Sequence, residues 1–494
     1  MDKLLPPGWK AEPSNPGEEK NGRGIARKGE AFPQGGAAKP PSRTRESANL
    51  DKGRASPTPT SDMKVTDMKT LVLALSLSIS AFGSAGAGDV GSPSPAQLRI
   101  EAARKVLEKQ PNRYSTYNDL AVALVRRARE TSDNSYLSQA QAAIADSLRI
   151  QPDNFEAGQA HVALLLAEHN YRQALEEARA LNHRMPDAVL VWGYMAEADA
   201  AIGDYDQAEQ AAQWMMDLRP GNLPAFLCGA ALREDWGEID GALDFLSKAF
   251  QQTPPLETEE SAWIMAKMAR LHRLAGRPDA AEPLLQQALK TFPDYYLSLE
   301  ELSEVRLAQQ RYSEAVDSLA RRNQSFPTAH SRYLAARALE RAGKPAEAER
   351  MYAEFEGAAR SQIEQPDNDN RELIAYYTEH ARRPAEGLRI ARLEMEHRHD
   401  VGTLDSYAWA LYVNGQPAEA RRQIQKALAV GTRDAAIYYH AGVIEAASGE
   451  RSAALHYLQQ SLDLNPTSEA GEAARRTLAK SGKFAEVRSG TGGK

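Results

Sequence analysis

Pro152, Pro186, Pro220 and Pro254 follow one another at intervals of 34 residues, and the same interval returns from Pro293 to Pro327. A proline lacks the N–H that a helix interior needs and clashes with the preceding turn, so evenly spaced prolines cut the chain into equal units. The unit Val189 to Pro220 shows what each contains. Val191, Trp192, Met195 and Ala198 recur at helical spacing, Gly203-Asp204 breaks the pattern, and Ala208, Ala212 and Met215 resume it. A chain that repeats one helical hairpin can bury its apolar faces only by stacking unit on unit. The pattern therefore predicts a single extended helical array in place of several globular cores.

The register is strict over 155–188, 189–222 and 223–256, where Ala174, Ala208 and Ala242 are equivalent, as are Leu181, Met215 and Ala249. Before them stands a half-repeat helix over 96–111 and a unit over 112–153 with surplus residues around Thr131 to Tyr136, read as a lengthened turn. A longer turn, TPPLETEE, precedes the unit 262–295. Register loosens after Gly357, is weakest over 368–400, and returns with Leu404, Tyr407 and Gly415. The array as a whole covers 112–468, a capping helix follows over 469–480, and 481–494 reads as a flexible tail.

Residues 1–62 are rich in Pro, Gly, Ser and charge and carry no hydrophobic period, which predicts a disordered or mis-assigned extension. Residues 63–87 have the form of a signal peptide: Lys64 and Lys69, an apolar run from Leu71 to Phe82, and Ala85-Gly86-Ala87 as a small-residue cleavage site. The run is shorter than the ~20 residues that span a bilayer. Cleavage near Ala87 predicts an exported protein, periplasmic or secreted, without a membrane span in its mature form, beginning with a linker over 88–95. Without cleavage the protein would remain cytosolic.

The 34-residue period, GDYDQA at Gly203 to Ala208 and the closing Asp217-Leu218-Arg219-Pro220 resemble the tetratricopeptide repeat (TPR) family. Where that family carries an aromatic, this chain has Asp199, Arg233, His272 or Arg306. The resemblance implies an all-α superhelix, a TPR solenoid of about nine to ten helix-turn-helix repeats, whose concave groove is lined by the first helices and holds a peptide or protein segment. Carried over position by position, the groove residues are Gln159, Tyr194, Glu197, Lys267, Arg270, Arg273, Glu300, Glu304, Tyr333, Arg337, Trp409, Tyr412 and Tyr439. Lys267, Arg270 and Arg273 share a helix face, and the next unit offers Glu300, Glu301 and Glu304. The two faces either pair with each other or form a charged recognition strip. Trp409, Tyr412 and Tyr439 are either core or an aromatic anchor.

A net charge of −7 with acid and base interspersed argues against nucleic acid as partner. Cys228 is the sole cysteine, so no intramolecular disulfide or CxxC site is available. No P-loop, GxSxG or HExxH occurs. The cluster Glu396-His397-Arg398-His399-Asp400 suggests a metal-binding or hydrolytic alternative through His397, His399 and Asp400, but histidines two apart diverge on a helix. The expectation is a non-catalytic, cofactor-free scaffold for protein partners.

Overall fold

The computed structural model describes residues 93–365, 368 and 370–490, with side chains as far as Lys480. The expected extension 1–62, the signal-type segment 63–87, most of the linker and residues 491–494 lie outside the described residues. The described part opens with α1 (Pro95–Lys109). Pairs follow: α2 (Tyr114–Thr131) with α3 (Ser135–Ile150), α4 (Phe155–Ala167) with α5 (Tyr171–Arg184), α6 (Val189–Ala201) with α7 (Tyr205–Leu218), and α8 (Leu223–Asp235) with α9 (Ile239–Gln252). Next come α10 (Thr258–Leu274) with α11 (Pro278–Thr291), α12 (Tyr296–Ala308) with α13 (Tyr312–Arg322), and α14 (Ala329–Arg341) with α15 (Pro345–Arg360). Then α16 (Asn370–Ala375) runs into a π-helical segment, Tyr376–His380, and pairs with α17 (Pro384–His397). The last pairs are α18 (Val401–Val413) with α19 (Pro417–Ala429) and α20 (Ala435–Ala447) with α21 (Arg451–Leu464), and α22 (Glu469–Gly490) follows. All regular structure among the described residues is helical, and these residues form an all-α superhelix of ten pairs.

The turn inside each of the ten pairs is made the same way, with one residue in the left-handed region. Glycine supplies it at 203, 237, 276, 343, 415 and 449, while Ser132, His169, Gln310 and Arg382 take φ values of 62°, 58°, 60° and 53°. Close packing of the pairs depends on small residues early in the second helices: Ala174, Ala208, Ala242, Ala281, Ala315 and Ala420 are each 0% exposed. The units end as the prolines predict. Asn154 and Asn222 then cap α4 and α8, their side chains accepting from the Ala157 and Ala225 amides at 3.2 and 2.9 Å.

Two expectations about surplus residues are corrected. Most of the extra residues near Thr131 and before Ala262 do not lengthen turns; they extend helices, so that α2 has 18 residues and α10 has 17 where most first helices have 13, and α3 has 16 where most second helices have 14. Helix extension satisfies each added backbone N–H and C=O internally, which a loop leaves to solvent. Likewise the backbone from Ser481 to Gly490 is helical, continuing α22 through part of what reads from sequence as tail.

The array also winds back onto itself. The amide of His399 donates to the Ala201 carbonyl at 3.1 Å, and that of Val401 donates to the Tyr205 hydroxyl at 3.3 Å across 196 residues. The Asn465 side chain donates to the Arg273 carbonyl at 3.0 Å across 192 residues, and Arg322 to the Ser132 hydroxyl at 3.2 Å across 190. The end of α6 thus meets the start of α18, and the end of α10 meets the start of α22, six units further on. Between them the Gly237 turn of α8 sits against Arg433 before α20. Buried Tyr205 and Trp236 share one apolar cluster with Val401 and Ile437. Successive superhelical turns are therefore in contact along a seam where helix C-termini face helix N-termini, an arrangement the helix dipoles favour.

Candidate partner-binding wall

First helices pack directly on one another, α2 on α4, α4 on α6, α6 on α8, α10 on α12, α12 on α14, α16 on α18 and α18 on α20, which places them on the inside of the curve. Their outward-turned polar positions make the inner wall. Over α8 to α14 that wall is a ladder of ion pairs. Glu234 of α8 accepts from Arg270 at 2.9 Å, Glu301 of α12 accepts from Arg273 at 2.5 and 3.1 Å, and Glu304 accepts from Arg337 of α14 at 3.1 Å. The two charged faces do pair, but not as a simple match of one helix with the next, because Arg270 reaches back to the preceding unit.

Glu300 is corrected: it does not face the groove. It points toward α13, where the Arg322 guanidinium donates to it at 2.7 Å, and the two side chains are 8% and 1% exposed. One residue on a helix is a rotation of 100°, so Glu301 takes the wall position instead. Lys267 lays its ammonium over the Trp263 ring, 5.5 Å from the centroid. Tyr194 and Glu197 stand on α6 and Gln159 on α4; Glu197 is exposed, whereas Gln159, Tyr194 and Tyr333 are half-buried. The Arg337 guanidinium lies over the Tyr333 ring at 5.9 Å.

Crowding by protein sets the electrostatics of this wall. Burial works against ionisation of Glu234 and Glu304, yet Arg270 beside the first and Arg337 beside the second outweigh it and hold both carboxyls below their usual range. At Glu197 the side chain reaches solvent, but the protein crowding it from the concave side desolvates the carboxylate, prevails over Lys267 and Arg129, and pushes the carboxyl up. Burial, reinforced by Glu197, pushes the Tyr194 phenol up to about 12. Asp235, at the seam end of α8, is pushed up to about 7 by burial, with Glu234 and Asp400 adding their repulsion.

The expected aromatic group is brought together on α18 and α20. Trp409 lies 5.2 Å from Tyr412 and 6.1 Å from Tyr439, centroid to centroid. Sequence reasoning missed its centre. His440 stacks on Trp409 at 4.1 Å and meets the Asp405 carboxylate at 2.9 Å, and although burial opposes its charge, Asp405 raises it above the usual histidine value. The available signal was spacing: Asp405 and His440 occupy neighbouring positions in successive first helices.

A cavity of about 210 Å³ opens where the ends of α10, α12 and α14 approach the starts of α20 and α22, lined by Arg273, Glu304, Arg337, Arg341, Asp434 and Glu469. A larger depression, about 630 Å³, runs along α5 beside Asn170, Arg172 and Glu176, on a second helix away from the inner wall. The His397–Asp400 stretch is a joint between units. Arg398 pairs with Glu394 at 2.6 Å, the His399 amide joins the seam, and Asp400 caps α18 by accepting from Gly402 and Thr403 at 3.0 and 3.1 Å. Among the described residues no group of three or more His, Cys, Asp or Glu is placed to hold a metal ion. No helix among them is long and apolar enough to cross a membrane.

Comparison with known proteins agrees with the helix pairs. Residues 272–339 and 408–477 match two family models, both described as tetratricopeptide repeat. No curated protein matches the sequence. Among solved structures the chain is similar to a human IFIT1 dimer with PPP-AAAA, at 16% identity and a TM-score of 0.43, covering 74% of this chain and 86% of that one. It is also similar to yeast Tom70, at 15% identity and TM-score 0.34 with 74% and 96% covered, and to PilW, a type IV pilus biogenesis factor, at 16% and 0.34 with 41% and 92% covered. Two segments thus match the tetratricopeptide-repeat family directly, and the same turn geometry joins all ten helix pairs of the described residues.

Proposed function

We propose that this protein is a non-catalytic scaffold whose inner wall, from α6 to α14, holds an extended segment of a partner protein in the cell envelope. The observation that carries the reading is the alternation of charge on that wall: Glu197 on α6, Lys267, Arg270 and Arg273 on α10, Glu301 and Glu304 on α12 and Arg337 on α14, with Arg273 paired to Glu301, Arg337 to Glu304 and Arg270 to Glu234 of α8, and none of them sealed from solvent. A segment of mixed charge can exchange these pairs for its own, whereas a polyanion would meet as many carboxylates as guanidinium groups. Contact between superhelical turns favours an extended segment over a folded domain. The signal-type segment 63–87 supports export, with a mature protein starting at Gly88.

The test is affinity capture of partners from an envelope extract. Lys267→Gln, Arg270→Gln and Arg273→Gln together leave Met265, Met268 and Ala269 in the core, so helical circular dichroism should persist while capture falls at least tenfold. Full capture at moderate salt would remove this strip from the binding site and leave the group of Trp409, Tyr412 and Tyr439. N-terminal sequencing of envelope-recovered protein tests export; an intact residue 63 or 68 start would refute it.

A further inference from the structure

The ion-pair ladder runs from Glu234 to Arg337 and then changes partner. Each rung joins one first helix to the next, and α16 continues the series only at the start of α14, where its Glu372 meets His330 at 3.1 Å, far from Arg337 and Arg341 along that helix. The carboxylates that meet the end of α14 come instead from α22. Glu469 bridges two arginines, with one oxygen 3.2 Å from Arg337 and the other 3.6 Å from Arg341, and Glu472 lies 3.7 Å from Arg341. Arg341 otherwise donates to the Tyr312 hydroxyl at 3.2 Å. Both arginine side chains are 25% exposed and Glu469 is 51% exposed, so these pairs form in contact with water, beside the 210 Å³ cavity that Arg273, Arg337 and Glu469 line. Solvent-exposed pairs of this kind are weak and exchange readily. The α22 segment also runs past Tyr439, whose hydroxyl interacts with Thr477. The first turns of α22 thus cover both the arginine end of the ladder and one edge of the aromatic group.

We propose that Arg337 and Arg341 form a docking site for a partner segment carrying two carboxylates one helical turn apart, and that Glu469 and Glu472 of α22 occupy this site as an internal stand-in until the partner displaces them. The proposal rests on the inner-wall reading and specifies its partner: an acidic, helix-forming segment, held by charge-assisted hydrogen bonds to two guanidinium groups. Occupation by α22 lowers the apparent affinity for the partner by the fraction of molecules in which the site is open.

The experiment uses the full chain and a fluorescein-labelled peptide with the sequence of its own residues 466–480, followed by fluorescence anisotropy at low and moderate salt. Glu469→Gln with Glu472→Gln should bind the peptide at least tenfold more tightly than the wild type does, with affinity falling as salt rises. A peptide with glutamine at both glutamate positions should lose that gain. Adding Arg337→Gln and Arg341→Gln should abolish binding; should that fourfold variant lose its helical circular dichroism, Arg341→Gln alone in the Glu469→Gln, Glu472→Gln background must still weaken binding several-fold. Equal affinity of wild type and double variant, retention of binding without the arginines, or no binding by any folded variant overturns the proposal. Capture that depends on Lys267, Arg270 and Arg273 is measured separately, so a failure here leaves the inner-wall reading standing and a failure there leaves this one to be judged by its own peptide.

Discussion

Neighbouring units and neighbouring superhelical turns meet through different chemistry. Between units the contacts are periodic: a small residue of the second helix, alanine in most and Gly387 in α17, is buried, and first helix packs on first helix with ion pairs along the rim. Across the seam the contacts are singular: a carbonyl of Ala201, a hydroxyl of Tyr205, the side chain of Asn465, the turn at Gly237. The glycines make the contrast sharp. Gly237 and Gly415 hold the same turn position at φ values of 68° and 72°, but a Cβ on Gly237 would come within 2.5 Å of the Arg433 backbone nitrogen, while one on Gly415 would meet nothing within 4 Å. A residue that the repeat uses for its own turn is, at some units, also the point on which the next superhelical turn rests.

The largest effect is expected where one side chain serves both kinds of contact. Arg322 pairs with buried Glu300 inside the stack and donates to Ser132 across the seam, so Arg322→Ala should cost about 3–5 kcal/mol by leaving a carboxylate buried without its partner. Chemical denaturation measures this. A loss below about 1 kcal/mol would mean that Glu300 is hydrated in solution.

Next in size is the glycine pair itself. Gly415→Ala should cost about 1–2 kcal/mol, the penalty of a Cβ in the left-handed region. Gly237→Ala adds a backbone clash to that penalty and should cost about 3 kcal/mol or more. It should also speed amide exchange at His399 and Val401, which Gly415→Ala should leave protected. Equal costs and equal exchange at both sites would show that the turns of the superhelix do not touch in solution.

The smallest effect concerns Asp235, which faces Asp400 across the seam. Its carboxyl ionises at 3.8 when unfolded and at about 7 in the folded chain. A group raised on folding contributes stability that is present below the unfolded value and is lost as pH climbs through the folded one. Thermal stability should therefore decline between pH 4 and pH 8, and Asp235→Asn should flatten that decline and raise the Tm at pH 8 by a few degrees. An unchanged pH profile in the variant would place the sensitivity elsewhere.

The helix pairs were legible because their causes are local. A proline ends a helix whatever lies beyond it, and a small residue at the same place in the second helices, alanine in nearly all and Gly387 in α17, permits close packing. Part of the site was legible for the same reason: the charged faces of α10 and α12 were recognisable from spacing, and so was the grouping of Trp409, Tyr412 and Tyr439. The choice between Glu300 and Glu301 was not, because it depends on how far α12 is rotated against α13, and the insertion of His440 into the aromatic group depends on the offset between α18 and α20. The histidine-rich stretch before α18 drew attention as possible metal chemistry, whereas in the structure Arg398, His399 and Asp400 pair with α17, join the seam and cap a helix.

Periodicity alone determined that this chain is an all-α stack of helical hairpins, since each 34-residue unit carries its own stop, turn and apolar stripes. Closure of the superhelix was decided only by tertiary structure. It results from a small rotation between units, summed over six of them, until residues some 190 to 196 apart come within hydrogen-bonding distance. No single residue encodes that sum, and a change of a few degrees per unit would carry α22 away from Arg337 and Arg341, leaving the same helices with a different groove.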